Sequence, residues 1–212
     1  MHIVSIFFVL ILFFYSSGPG QTGFKPLTDI AGFKDKLSEV SKTTKTIESD
    51  FIQEKKLSVL SKNIISKGHF CFKKENNIRW EYLQPYEYLI IISNNKFFIK
   101  DKDNKKEFAA QSNKVFKEMN NFIVDCIRGN ILNHEKDYKI EYFENDNLYF
   151  VKLIPVQNKM KEILNEIQIF FDKNNLSVSK VKLLESEGDY TIIEFQNKKF
   201  NVEIPNEKFS FK

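Results

Sequence analysis

Hydrophobic positions follow three different periods along the chain. Ile3 to Tyr15 is almost continuously apolar and ends at Ser16-Ser17-Gly18-Pro19-Gly20. After Thr28 and Asp29, both residue types that cap helix N-termini, apolar residues recur in steps of three and four at Ile30, Phe33, Leu37, Val40 and Ile47, with the half-apolar Thr44 completing the stripe. That spacing predicts an amphipathic helix. From Ser49 the period drops to two, and Asp50 to Leu57, Ile64 to Lys74, Ile78 to Leu83, Glu87 to Ser93 and Lys96 to Asp101 read as short strands separated by Asn-Asn and Gln-Pro turn signals. A second helical stretch is expected over Ser112 to Arg128, where Val115, Met119, Phe122, Ile123, Cys126 and Ile127 share a face and Gly129 supplies a stop. Alternation then resumes at Tyr138 to Glu144, Leu148 to Pro155, Ile163 to Asp172, Val178 to Glu185, Tyr190 to Asn197 and Phe200 to Ile204.

About eleven strands in meander order are too many for one flat sheet, which curls or splits into layers. The expected fold is mainly β, in the α+β class: an incomplete antiparallel β-barrel with two amphipathic helices whose apolar stripes must be buried on its open mouth or concave face. No linker divides the stretch from residue 21 to 212, so it reads as a single domain.

Composition narrows the function classes. Twenty-two Phe and 8 Tyr against 7 Gly and 5 Pro exclude a disordered or collagen-like chain. A net charge of +4, from 32 basic and 28 acidic residues, argues against a nucleic-acid binder. The apolar run of residues 3 to 15 is shorter than the roughly 20 residues that span a bilayer, and small residues follow it. Residues 1 to 20 therefore read as a secretory signal peptide, although no Lys or Arg precedes the run. His69 and His134 lack partners at metal-ligand spacing, and no nucleophile motif or phosphate-cradling loop is present, so neither an enzyme nor a metal or cofactor site is expected. The pairs Lys105-Lys106 and Lys198-Lys199 sit near turns, where charge is ordinarily solvated.

Four stretches carry a resemblance. Asp50-Phe51-Ile52-Gln53-Glu54-Lys55 is followed by Ser66-Lys67-Gly68-His69-Phe70-Cys71-Phe72-Lys73-Lys74, then by Ile78-Arg79-Trp80-Glu81-Tyr82-Leu83-Gln84-Pro85 and Asn94-Asn95-Lys96. In this order and spacing, the Phe-x-Gln, Gly-x-Phe-x-Phe-Lys and Arg-Trp-x-Tyr strands resemble the LolA family of periplasmic lipoprotein carriers, a similarity extending to Phe209-Ser210-Phe211. The resemblance implies an open barrel with a helical lid over an apolar cavity. It also implies a periplasmic, monomeric chaperone that binds the acyl chains of lipoproteins. Such a carrier accepts its cargo from an inner-membrane ABC-type lipoprotein-releasing transporter and delivers it to an outer-membrane acceptor. Two alternatives use the same fold: an envelope regulator that senses lipid or lipoprotein, and a carrier of free lipid or glycolipid.

Alternation puts Ile78, Trp80 and Tyr82 on one face and Arg79, Glu81 and Leu83 on the other. The first set, with Phe51, Phe70 and Phe72, is the expected cavity wall, and Met119, Phe122 and Ile123 are the expected lid contacts. Relatives use an Arg on the strand before the Trp strand to hold the lid by bonding helix backbone; the matching residue here is Lys74, a point charge without a planar fork, so a looser latch is expected. Arg79 reads as a solvated strand residue. Cys71 should face away from the cavity and Cys126 toward it, which predicts two free thiols. If Phe122 and Ile123 seal a cavity, Phe122→Glu or Ile123→Glu abolishes cargo retention and leaves the far-ultraviolet circular dichroism of the barrel unchanged; global unfolding of either variant would make the segment ordinary core.

Overall fold

A computed structural model describes residues 23–102, 104–109, 125 and 130–210. Its elements in chain order are β1 (Lys25–Pro26), α1 (Ile30–Thr43), β2 (Thr46–Lys56), β3 (Ile64–Lys73), β4 (Asn77–Gln84), β5 (Tyr88–Ser93), β6 (Lys96–Asp101) and β7 (Asn104–Ala109), then β8 (Tyr138–Glu144), β9 (Leu148–Pro155), a one-turn α2 (Asn158–Lys161), β10 (Leu164–Asp172), β11 (Val178–Glu185) and β12 (Tyr190–Phe200). Short 3₁₀ turns lie at Asn130–Asn133, Ser186–Gly188 and Asn206–Phe209. The apolar run of residues 1–20 and most of the expected lid, including Met119, Phe122, Ile123 and Cys126, lie outside the described residues.

All twelve strands join one antiparallel sheet in the order β1-β8-β9-β10-β11-β12-β2-β3-β4-β5-β6-β7. This corrects the expected single meander. Two meanders, β8 to β12 and β2 to β7, progress in the same direction across the sheet, so that β12, the last strand of one, pairs with β2, the first of the other, at the middle. The sheet is not closed, with β1 and β7 at its two edges.

Both edge strands escape the sequence pattern for physical reasons. β1 is two residues long, too short to show a period, and its Pro26 has no N–H to contribute to a ladder, which suits an edge. β7 reads Asn-Lys-Lys-Glu-Phe-Ala, the polar composition that blunts an edge against further pairing. Conversely, Phe200 to Ile204 is not a separate strand: Tyr190–Phe200 is continuous, with a register shift between Gln196 and Lys199, and the chain leaves the sheet after Phe200.

Asp29 caps α1, its carboxylate accepting from the Gly32 N–H at 2.9 Å. At the far end the hydroxyls of Thr43 and Thr44 donate to the Val40 carbonyl at 3.0 and 2.7 Å, satisfying an end group as the chain turns into β2. The helical stripe therefore stops before Ile47, which belongs to β2. Phe33 and Leu37 are buried on the concave face of the second meander, each worth roughly 1.5–3 kcal/mol of apolar burial. The Phe33 ring meets Tyr142, Tyr149 and Phe171 on β8, β9 and β10, with centroids 6.4, 4.5 and 5.6 Å apart. The first meander carries a second core of Phe51, Phe70, Phe72, Ile78, Trp80, Ile92 and Phe97. A third, smaller cluster lies on the opposite face of that meander, where Ile204 and Phe209 cover Cys71 and Ile91.

Gly68 on β3 faces Tyr82 where β4 shifts register by one residue. A Cβ at Gly68 would overlap the Glu81 carbonyl oxygen and stand 2.8 Å from two carbons of the Phe51 ring. Gly68→Ala is expected to cost about 1–3 kcal/mol, read as a lower urea midpoint with an unchanged slope; a midpoint equal to that of the unaltered chain would mean that β3 and β4 do not pack this closely.

The apolar cavity and its polar wall

Between the last turns of α1 and the concave face of the sheet lies a cavity of about 260 Å³. The end of α1 contributes Leu37, Val40 and Ser41, with Thr44 beyond it. Ile78, Trp80 and Tyr82 come from β4, Phe70 from β3, and Ile90 and Ile92 from β5; Val181, Leu183, Ile193 and Phe195 form the opposite wall on β11 and β12. Space on this scale far exceeds the ~10–15 Å³ that admits one water, and walls so poor in polar atoms favour hydrocarbon as the occupant.

Of the expected wall residues, Phe70, Ile78, Trp80 and Tyr82 line the space. Phe51 and Phe72 are buried in the same cluster without lining it, and they buttress the wall. The Phe51 ring packs 5.1 Å from both Trp80 and Tyr82, and Phe70 stands 5.1 Å from Trp80 and 5.7 Å from Phe195. Edge-on and tilted contacts of this kind fix each ring against its neighbours. The wall is therefore rigid on its sheet side. The Tyr82 hydroxyl donates to Gln53 Oε1 at 3.0 Å, and burial pushes its pKa up to about 12, so it remains a neutral donor at any physiological pH.

Polar atoms on the wall are few and specific. Ser49 is 2% exposed, and its Oγ has no hydrogen-bond partner. The Trp80 Nε1 lies near the Tyr82 hydroxyl but makes no hydrogen bond of good geometry. Lys198 is the one charged residue among the described residues that line the cavity. Its ammonium donates to Ser177 Oγ at 2.7 Å and to the Val178 carbonyl at 3.3 Å, and burial lowers its pKa from the ordinary lysine value.

The expectation that Lys198 is solvated near a turn is corrected by the structure. Asn197 has a left-handed φ of 52°, and three residues of β12, Asn197 included, advance the register while β2 advances only from Asp50 to Glu48. The extra residue is a β-bulge, which reverses the inward and outward sides of everything beyond it. Ile193 and Phe195 point in before the bulge, Lys198 and Phe200 after it. Pure alternation cannot find this change of phase; the Asn in the middle of the strand is its only signal.

Lys74 donates from Nζ to the Lys42 carbonyl in the last turn of α1 at 2.9 Å, and its backbone N–H donates to the Lys45 carbonyl at 2.8 Å. The residue thus ties the end of β3 to the helix that roofs the cavity. Outside the cavity, Arg79 is not merely solvated: its guanidinium forks onto Glu81 at 3.1 and 2.8 Å and donates to the Lys208 carbonyl at 3.2 Å, clamping the C-terminal turn. Cys71 faces away from the cavity as alternation requires, yet it is a buried free thiol beneath that C-terminal turn, and burial raises its pKa. His69 Nδ1 lies 2.5 Å from Asp50 Oδ1 on the same outer face, and His134 Nε2 and Nδ1 lie 3.4 and 3.5 Å from Asp125 and Asp137. Among the described residues no group of three or more His, Cys, Asp or Glu side chains could hold a metal, and no helix is long and apolar enough to cross a membrane.

Comparison with known proteins gives a consistent family. The family described as outer membrane lipoprotein carrier protein LolA matches residues 42–212. An outer-membrane lipoprotein carrier protein of Francisella tularensis subsp. tularensis is 27% identical over 183 residues, 85% of each chain, and one of Xanthomonas campestris pv. campestris is 24% identical over 185 residues, 87% of this chain and 86% of the other. Among solved structures, the Pseudomonas aeruginosa MucA/MucB complex shares the fold with a TM-score of 0.53 at 10% identity, covering 87% of this chain and 61% of that one. An uncharacterized conserved protein from Thermus thermophilus does so with a TM-score of 0.52 at 6% identity, covering 86% and 93%. With the family match running from the end of the first helix to the C-terminus, the chain belongs to the LolA family of outer membrane lipoprotein carrier proteins.

Proposed function

We propose that this chain is a periplasmic carrier that holds the acyl chains of lipoproteins in the apolar cavity and shuttles them from the inner to the outer membrane. Lipoprotein would be received from an inner-membrane ABC-type transporter and passed to an outer-membrane acceptor. The observation that carries the reading is the cavity of about 260 Å³ walled by Phe70, Ile78, Trp80, Tyr82 and Phe195. Its energetics fit the task. Each methylene withdrawn from water is worth about 0.8 kcal/mol, so an exposed long acyl chain costs on the order of 10 kcal/mol, and unaided diffusion through an aqueous compartment is negligible. The process is transfer by binding, with no bond made or broken.

The test uses the single Trp of the chain. Titration with a synthetic triacylated lipopeptide is expected to shift or quench Trp80 emission, and Ile193→Glu, which sets a charge on the opposite wall, is expected to remove that response with the fold intact. Hydrated-indole emission that no acylated ligand changes would overturn the reading.

In this mechanism Lys74 is the latch. Its bond to the Lys42 carbonyl holds the end of α1 over the cavity, and because the contact is exposed it can open at low cost. Lys74→Ala is expected to raise the ligand dissociation rate about five-fold, the scale of one net hydrogen bond at an exposed site, with Lys74→Arg restoring slow release. Stopped-flow Trp80 fluorescence measures it, and an unchanged rate in Lys74→Ala would exclude the latch.

A further inference from the structure

The cavity holds a polar arrangement that the burial of plain hydrocarbon does not require. On β2, Ile47, Ser49 and Phe51 point inward, and Ser49 lies between Glu48 and Asp50, whose partners on β12 are Lys199 and Gln196. Ser49 therefore stands opposite the bulge, beside the stretch of β12 from which Lys198 turns into the cavity. One of the two is a hydroxyl that is 2% exposed and unpartnered. The other is an ammonium with two neutral acceptors, Ser177 Oγ and the Val178 carbonyl, and therefore with a third N–H to spare.

We infer that Lys198 and Ser49 form a headgroup subsite, and that the cavity accepts an acyl lipid carrying a single negative charge on oxygen, its chain against the aromatic wall and its anionic oxygens on the Lys198 ammonium and the Ser49 hydroxyl. This rests on the reading of the cavity as an acyl-chain site and names a further ligand class for it. Three features support it. An unpaired hydroxyl held away from water costs free energy that a ligand oxygen would recover. A lysine among apolar residues, its pKa lowered by burial, has lost hydration that an anion would replace. The Asp172 carboxylate acts on Lys198 through space but forms no ion pair with it among the described residues, so one N–H of the ammonium is left for a ligand. A lone ammonium matches a monoanion, either a carboxylate or a phosphodiester. Both are tested with the same chain length, so that the apolar contribution to binding is constant.

The experiment compares laurate, lauroyl-lysophosphatidylglycerol and the neutral 1-lauroylglycerol by Trp80 fluorescence, below their micellar concentrations, on the unaltered chain and on Lys198→Gln, Lys198→Arg and Ser49→Ala. Expected for the unaltered chain is at least one anion binding about ten-fold tighter than the neutral lipid, the scale of a charge-assisted hydrogen bond. The tighter of the two anions identifies the headgroup as carboxylate or phosphodiester. Lys198→Gln should bring the anion down to the affinity of the neutral lipid while leaving the neutral lipid unchanged, Lys198→Arg should retain the preference, and Ser49→Ala should reduce it. Equal affinity of all three lipids for the unaltered chain overturns the subsite and leaves the acyl-chain reading intact; no binding of any of them overturns the subsite alone where the triacylated lipopeptide still binds, and both readings where it does not. A preference for anions that survives in Lys198→Gln also overturns the subsite. If Lys198→Gln loses the neutral lipid too, the residue serves only to tie β12 to Ser177, and the assignment of the headgroup to Lys198 falls.

Discussion

The pairing of β2 with β12 is the constraint on which the rest of the molecule depends. Each meander alone is an ordinary run of hairpins, and the ladder from Tyr190↔Lys56 to Phe200↔Ile47 makes them one sheet. A twelve-stranded antiparallel sheet with normal twist must curl, because strands in register rotate progressively against one another. Curling produces a concave face whose inward residues are apolar on both halves. The unpaired edges, β1 with its proline and the lysine-rich β7, leave it as an open half-barrel.

A concave apolar face has to be covered, and the two halves are covered differently. Over β8 to β10 the first half of α1 drives Phe33 and Leu37 into a close-packed core with Val151, Leu153, Ile167, Ile169 and Phe171. Over β2 to β5 the end of the same helix presents the smaller Val40, Ser41 and Thr44, which line the cavity together with Trp80 and Tyr82. The cavity walls do not collapse into the space because each ring is fixed by neighbours in its own sheet layer, Trp80 by Phe51 and Phe70, and Phe70 by Phe195. A wall that keeps its shape when empty spares a ligand the cost of opening it.

Much of this was legible from periodicity. Ten of the strands could be placed because their alternation is strong, and the cavity face of β4 follows from the positions of Ile78, Trp80 and Tyr82 alone. What could not be read has a common physical cause: it depends on partners distant in the chain. Pro26 is a strand residue only because Phe143 is beside it. Cys71 is buried because Ile204 and Phe209 fold back across the outer face, and Arg79 is clamped because Glu81 and the Lys208 carbonyl converge on it. The first meander even resists the usual one-sided rule, since β3 and β5 carry apolar residues on both faces, and only the C-terminal turn explains the outer set.

The bulge at Asn197 shows how one backbone irregularity can separate two requirements that alternation would force together. Without the extra residue, position 197 would stay in phase with Ile193 and Phe195, and Lys198 would project with Glu194 to the outside. With it, Asn197 turns outward to donate to Asp50 Oδ2 at 2.7 Å, beside the Asp50 contact with His69, and Lys198 turns inward. The bulge is anchored on the outer face by that amide–carboxylate bond and on the inner face by Ser177 and Val178. Holding a lysine against an apolar wall opposes its solvation, so the two anchors have to outweigh that cost. A purely apolar cavity would bind hydrocarbon in any register along its axis, since dispersion and apolar burial carry little directional information. In the proposed subsite the Lys198 ammonium and the Ser49 hydroxyl, on the β11 and β2 sides of β12, would break that degeneracy by giving the end of the chain a different energy from its middle.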